Sequence, residues 1–279
     1  SRDGGLTWVL QRDGLADQVQ INEDNAGRSL ASVEALQAQL AVADEAARES
    51  LQEALDEAQW ALENAREKLD MPVYAPPLMD IWFATPERGW AAGAYGTLLR
   101  TANGGRDWAD WSYRVDNPEE LHLNGVVGDA SGAIYLASEW GTVFVSTSAG
   151  ESWRPSATGY DGSFFGVVTN PRSGSVFAYG LLGTIYRSSD RGVSWSPVEG
   201  MVRTSLFGAD AADGLVIFVG QGGAATLTED DGETFTPMVQ PQRAGLFGVA
   251  TLGAGRFIAS GEGGSKILLR AASGDPVNE

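Results

Sequence analysis

Two hydrophobic periods divide this chain. Residues 29–70, SLASVEALQAQLAVADEAARESLQEALDEAQWALENAREKLD, contain no Gly or Pro, and Pro72, Pro76 and Pro77 follow at once. At about 100° per residue, Leu30, Val33, Leu40, Leu51, Leu55, Leu62 and Leu69 stay on one face, which predicts an amphipathic helix. From residue 79 onward the pattern changes to short β-branched and aromatic runs, punctuated by Gly, Asn and Asp. That pattern predicts strands joined by tight turns.

As a single rod, 42 helical residues would reach about 63 Å, and residues 9–28 would have to run almost fully extended to return the chain. An antiparallel hairpin removes that demand. Asp44 suits the cap of a second helix, which places the turn near Val42 to Asp44, although Ala43 to Ser50 also suits a continuous helix. Trp60 lies opposite the Leu stripe, among Asp56, Glu63 and Asn64. It is either covered by the other helix or left for a partner.

The strand region repeats. SRDGGLTW, TANGGRDW, STSAGESW, SSDRGVSW and TEDDGETF end on Trp8, Trp108, Trp153, Trp195 and Phe235, at spacings of 100, 45, 42 and 40. A period near 40–45 residues is the size of one four-stranded propeller blade. Gly125, Gly166, Gly208 and Gly248 recur in step, at 41, 42 and 40, within LNGVVGD, FFGVVTN, LFGADAA and LFGVATL. MDIWFAT is the matching strand of an earlier blade. Each unit continues through a second strand, a corner (GAYG, SEWG, GLLG, GQGG, GEGG) and a third strand that runs into the box. Within the box, Asp3, Asn103, Asp190 and Asp230 are placed to accept backbone N–H groups, and the closing ring is expected to pack between neighbouring sheets.

This composite resembles the Asp-box, or BNR, repeat of β-propellers, with the pattern SxDxGxTW. Ser148 departs from it by replacing the acid and Asp107 by replacing the Thr or Ser, so those two turns should be held less tightly. The fold expected is all-β: a propeller of four-stranded antiparallel blades at about 1–10, 79–111, 123–155, 164–198, 205–238 and 245–270, with a helical insertion at 29–70. The chain is similar to propellers related to the photosystem II assembly and stability factor, and within them to bacterial members found beside RND/MMPL-type exporters that carry such an insertion. The resemblance implies a seven-bladed parent whose first blades and signal peptide lie outside this sequence. The alternative is a five-bladed ring completed by residues 6–10, since the chain closes on a decayed box, ILLRAASGDPVNE.

In a meander, the second-to-third corners and the interblade linkers emerge on one face, and the boxes on the other. The insertion is therefore expected on the face of Tyr95, Trp140, Leu181 and Leu182, a candidate protein-binding surface together with Trp60. Each of these residues alone would be explained equally well by packing on nearby loops. Arg100, Arg187 and Arg270 recur at the end of the third strand. The resemblance implies a recognition patch for them, whereas their chemistry favours pairing with box carboxylates or stacking on aromatic rings.

Composition narrows the function. A formal charge of −18, from 37 acids and 19 bases, disfavours nucleic acid and anionic membranes. No apolar run is long enough for direct membrane insertion. With no Cys and His122 as the sole histidine, thiolate metal sites are excluded and Ser/His or Cys/His nucleophile arrangements nearly so; no metal or cofactor is expected. DDGE at 230–233 lacks the alternating ligands of a calcium loop. Some Asp-box propellers are sialidases, but the Arg-Ile-Pro sequence typical of them is absent. The function expected is a non-enzymatic periplasmic interaction propeller that docks on a membrane protein complex, with an RND/MMPL-type transporter as suspected partner. The alternative is a glycan-binding or glycoside-hydrolysing propeller.

Overall fold

The computed structural model describes residues 3–10, 12–199, 202–238 and 243–270. The decayed C-terminal box lies outside them from residue 271 onward. The chain divides into two compact units, Ser1–Pro76 with Gly105–Ala109, and Pro77–Gly104 with Asp110–Glu279.

The first unit is built on a helical hairpin, α1 (Gly14–Val42) and α2 (Glu45–Asp70). The reverse lies where Asp44 was expected to cap, and its carboxylate accepts from Ala47 N at 3.0 Å. Helix α1 begins about fifteen residues before the expected start at residue 29. Asp13 explains the difference, because its side chain accepts from Leu15 N and Ala16 N and satisfies the first free amides. Gly14 interrupts the apolar pattern at the first helical position, and Gly27, in the interior, weakens the helix by about 1 kcal/mol. Side-chain bonds one turn apart, Gln18 to Asn22 and Gln20 to Asp24, work against that loss. Val33, Leu55 and Leu62 form the seam between the helices, with Leu36, Leu40 and Ala58 around them.

The second unit is a β-propeller of five antiparallel sheets. Blade one comprises β1 (Leu78–Phe83), β2 (Gly89–Gly93), β3 (Leu98–Thr101) and β4 (Ala109–Asp110). Blade two comprises β5 (Gly125–Gly128), β6 (Ile134–Ala137), β7 (Thr142–Ser146) and β8 (Arg154–Ala157). Blade three runs through β9 (Phe164–Thr169), β10 (Val176–Gly180), β11 (Ile185–Ser188) and β12 (Ser196–Pro197). Blade four runs through β13 (Leu206–Ala212), β14 (Leu215–Gly220), β15 (Ala225–Thr228) and β16 (Thr236–Pro237). Blade five has three described strands, β17 (Leu246–Gly253), β18 (Arg256–Gly261) and β19 (Gly264–Leu269). Residues 8–10 form no strand.

Each inner blade is buried on both faces, which is why the second strands, such as IYLA, VFAYG and LVIFVG, read as unbroken runs without charge. In β14, Val216 and Phe218 pack toward blade three with Phe177 and Tyr179, while Ile217 and Val219 pack toward blade five with Phe257 and Leu268. The two-residue period of a strand serves two cores at once. The recurrent glycines mark where innermost strands converge: a Cβ on Gly125 would lie 2.9 Å from the Cα of Gly166, and one on Gly208 would lie 3.0 Å from that of Gly248.

Candidate functional site

On one face of the propeller, the corners between second and third strands are tight turns closed by Thr97 N to Ala94 O, Thr142 N to Glu139 O, Thr184 N to Leu181 O and Ala224 N to Gln221 O. Both central residues of each turn are left-handed: Tyr95 and Gly96, Trp140 and Gly141, Leu182 and Gly183, Gly222 and Gly223, with φ from 52° to 77°. This is the primed hairpin turn, whose twist matches that of the strands it joins, and it favours Asn or Gly at its first central position. Blade four has Gly there. Blades one to three have a large side chain instead, at a cost of about 1 kcal/mol each.

Those side chains are not repaid by burial. Tyr95 is 54% exposed, Trp140 63% and Leu182 68%. The linkers pack beside them, as Leu123 N donates to Gly93 O, Gly141 N to Gly162 O and Leu182 N to the Ser205 hydroxyl. His122 joins two corners: its ring meets Tyr95 edge-on at 5.0 Å, and its backbone N–H donates to Glu139. Beside Leu182, a cavity of about 350 Å³ is lined by Tyr160, Tyr186, Val198 and Val202, with Glu199 and Arg203 among its other lining residues.

At the same end of the strands, Phe165, Phe207 and Phe247 follow one another from blade to blade at 5.9 and 5.8 Å. Phe207 and Phe247 fall in the register shifts that open β13 and β17, and Phe165 faces the shift near Gly180. The repeated FFG and LFG carry this signal in the Phe before each recurrent Gly.

The opposite end holds the boxes of blades two to four. The Asp190 carboxylate accepts from Ser194 N and Oγ, and Asp230 accepts from Thr234 N and Oγ1. The Ser194 hydroxyl bond leads the groups that hold the Asp190 carboxyl down at about 2. Asp3 and Thr7 form the same pair of bonds, although Trp8 is 80% exposed whereas Trp153 and Phe235 are buried. Ser148 stands in for the acid and accepts from Ser152 N at 2.9 Å. Asn103 accepts from the Thr101 hydroxyl, and Trp108 and Trp195 are partly buried.

The recurring arginines reach carboxylates. Arg187 pairs with Asp231 and lies 3.6 Å from Glu233, Arg270 lies 2.7 Å from Glu229, and Arg100 lies 3.7 Å from Glu151. The guanidinium groups of Arg100 and Arg114 both lie against the Trp111 ring, at 4.7 and 4.5 Å. Trp60 belongs to the helical unit and is exposed. Among the described residues no group of three or more His, Cys, Asp or Glu is placed to hold a metal ion.

Repeated four-stranded sheets with a box at each third-to-fourth turn define an Asp-box β-propeller. Residues 58–204, more than half of the chain, match the family described as photosynthesis system II assembly factor YCF48, and the chain belongs to that family. It is 33% identical over 72 residues to the photosystem II assembly lipoprotein Ycf48 of Synechococcus sp. (strain CC9902), a match covering 26% of this chain and 21% of that protein. Among solved structures it is similar to YCF48 bound to D1 peptide, with TM-score 0.56 and 21% identity over 69% of this chain and 62% of that one. It is also similar to YCF48 from Cyanidioschyzon merolae, with TM-score 0.56 and 16% identity over 73% of this chain and 70% of that one. The WD40 propeller of Doa1 gives the same TM-score at 12% identity, covering 71% and 67%, so the structural likeness speaks for the fold.

Proposed function

We propose that this chain is a non-enzymatic interaction propeller that docks on a membrane protein through its corner face, with the helical hairpin as a second contact. The observation that carries the reading is the set of three consecutive corners presenting Tyr95, Trp140 and Leu182 to solvent from strained turns. Side chains kept exposed at a conformational cost mark a site selected for something other than stability. A family relative has been seen with a peptide of D1, a membrane protein, which supports the same class of partner here. A relative's description as a lipoprotein supports a location outside the cytoplasm, and we place the chain in the periplasm. An RND-type exporter is the particular partner that the insertion and the subgroup resemblance favour.

A photo-crosslinking amino acid in place of Leu181, beside the strained corner of blade three, tests the reading in solubilised native membranes. The expected product is a discrete adduct with an integral membrane protein, formed by the full chain and weakened when residues 14–70 are removed. Adducts with soluble proteins alone would overturn it. A panel of fluorogenic glycosides addresses the enzymatic alternative, since turnover abolished by one carboxylate substitution would replace this reading.

A further inference from the structure

The charge around the corners adds information that their apolar side chains do not carry. The linkers packed beside the corners expose Asp116, Glu119, Asp161 and Glu199, and the corner of blade five exposes Glu262. Glu139 lies next to Trp140 and accepts from the backbone of His122. Of the arginines on the described linkers, Arg114 is already paired with Glu151 at 2.9 Å, which leaves Arg203 and Arg243 against those acids, while the His122 ring lies 3.8 Å from Glu139. The third-strand arginines do not change this balance, because they sit at the box end with carboxylates of their own.

We propose that the corner face recognises an extended protein segment that is basic and carries large apolar side chains, and that Tyr95, Trp140 and Leu182 determine its specificity. The inference rests on the docking reading above and adds the chemistry of the partner. Apolar anchors of the segment lie against the three corner side chains, and one fills the cavity of about 350 Å³ beside Leu182. Arg or Lys between the anchors meets the surrounding acids, which steers encounter and selects against acidic competitors. A second copy of this chain, at a net charge of −18, is repelled by the same acids.

The strain in the turns supplies a clean test. At a left-handed position Gly is the residue the backbone prefers, and Gly222 shows that the corner forms with it. Y95G, W140G and L182G therefore delete the proposed contacts without endangering the fold. The probes are fluorescein-labelled peptides of about a dozen residues in which Trp and Leu alternate with Arg, with Gln or with Glu, titrated by anisotropy against the full chain. The Arg peptide is expected to bind at least roughly tenfold more tightly than the Glu peptide, and to weaken as salt is raised. W140G is expected to weaken it by roughly tenfold or more, with a melting temperature equal to or above that of the parent. Equal or tighter binding of the Glu peptide, or parental affinity in all three Gly variants, would overturn the proposal. Anionic phosphatidylglycerol vesicles that bind with the same dependence on Trp140 would overturn the assignment to a protein partner. If the Arg peptide binds as expected while crosslinking captures no membrane protein, the chemistry stands and the membrane partner falls.

Discussion

The Arg187 guanidinium on the third strand of blade three is ion-paired with the Asp231 carboxylate in the box of blade four. The same carboxylate accepts from Asn170 at 3.0 Å, Ser173 at 2.6 Å and Ser175 at 2.7 Å, all of blade three. Asp231 follows the box acid Asp230 and is left-handed, with φ 62°, as Arg191 and Ala149 are in their boxes. Arg191 and Ala149 are exposed, whereas Asp231 at the same position clasps the neighbouring blade through its side chain.

Asp231→Ala takes the nearest carboxylate from Arg187, leaving Glu233 at 3.6 Å, and removes the acceptor shared by three further donors, so it should cost about 2–3 kcal/mol, or a melting temperature lower by several degrees. Burial pushes this carboxyl up, but Ser173, Ser175, Arg187 and Asn170 outweigh it and hold it below the ordinary carboxylate range. With the native value below the unfolded one, the stabilisation is present above the unfolded value and lost as pH falls through the native one. Stability should therefore fall on acidification below about pH 4 in the parent, and fall less steeply in Asp231→Ala. Urea melts of both proteins at a series of acidic pH values read the difference.

Ser148 already receives Ser152 N where other boxes use an acid. In the boxes of Asp190 and Asp230 the equivalent bonds end on a charged acceptor, which strengthens them. Ser148→Asp should stabilise the chain by about 0.5 kcal/mol, seen as a higher denaturation midpoint with an unchanged slope.

Gly166→Ala should be severe. The new Cβ would collide with the Tyr179 phenol, which is buried between blades three and four, and the Cα of Gly166 already lies 2.9 Å from where a Cβ on Gly125 would be. The Tyr179 ring is packed between two blades and has no space to withdraw into, so the expected loss is about 2–3 kcal/mol, checked by thermal unfolding. Gly174→Ala is the contrast, since nothing lies within 4 Å of its Cβ position and only its left-handed backbone resists.

The outer flank of blade five should promote self-association of this chain. Ile217 and Leu227 of blade four are 0% and 2% exposed because blade five covers them; Ile258 and Ile267, at the same positions of blade five, are 38% and 53% exposed. Ile267→Lys should reduce association in light scattering at high protein concentration and leave the melting temperature within about 1 °C, since it removes little buried area. A matching fall in melting temperature would mean that this face is already covered.

Much of the fold was legible because its signals are local and repeated. A box must supply an acceptor, a glycine and a ring within eight residues, and a strand buried on both faces is built of apolar residues with an occasional Ser or Thr, such as Thr226 and Thr228, so period and blade follow from the letters alone. The start of α1 was less legible, since Asp13 supplies one cap while Gly14 and Gly27 blur the pattern behind it. The corner side chains were visible as candidates, but their left-handed backbone was not, because Tyr, Trp and Leu give no local hint of φ near +50°. The Phe165, Phe207 and Phe247 ladder and the Asp231 clasp lie further still from the sequence. Their partners come from other blades, about 40–60 residues away, and a side chain's choice among several reachable neighbours is settled only when the blades have packed. The sequence by itself thus determined the repeat and the surfaces that the repeat brings to either end. Tertiary packing decided which charged groups are spent between blades, and which apolar ones remain at the corners for a partner.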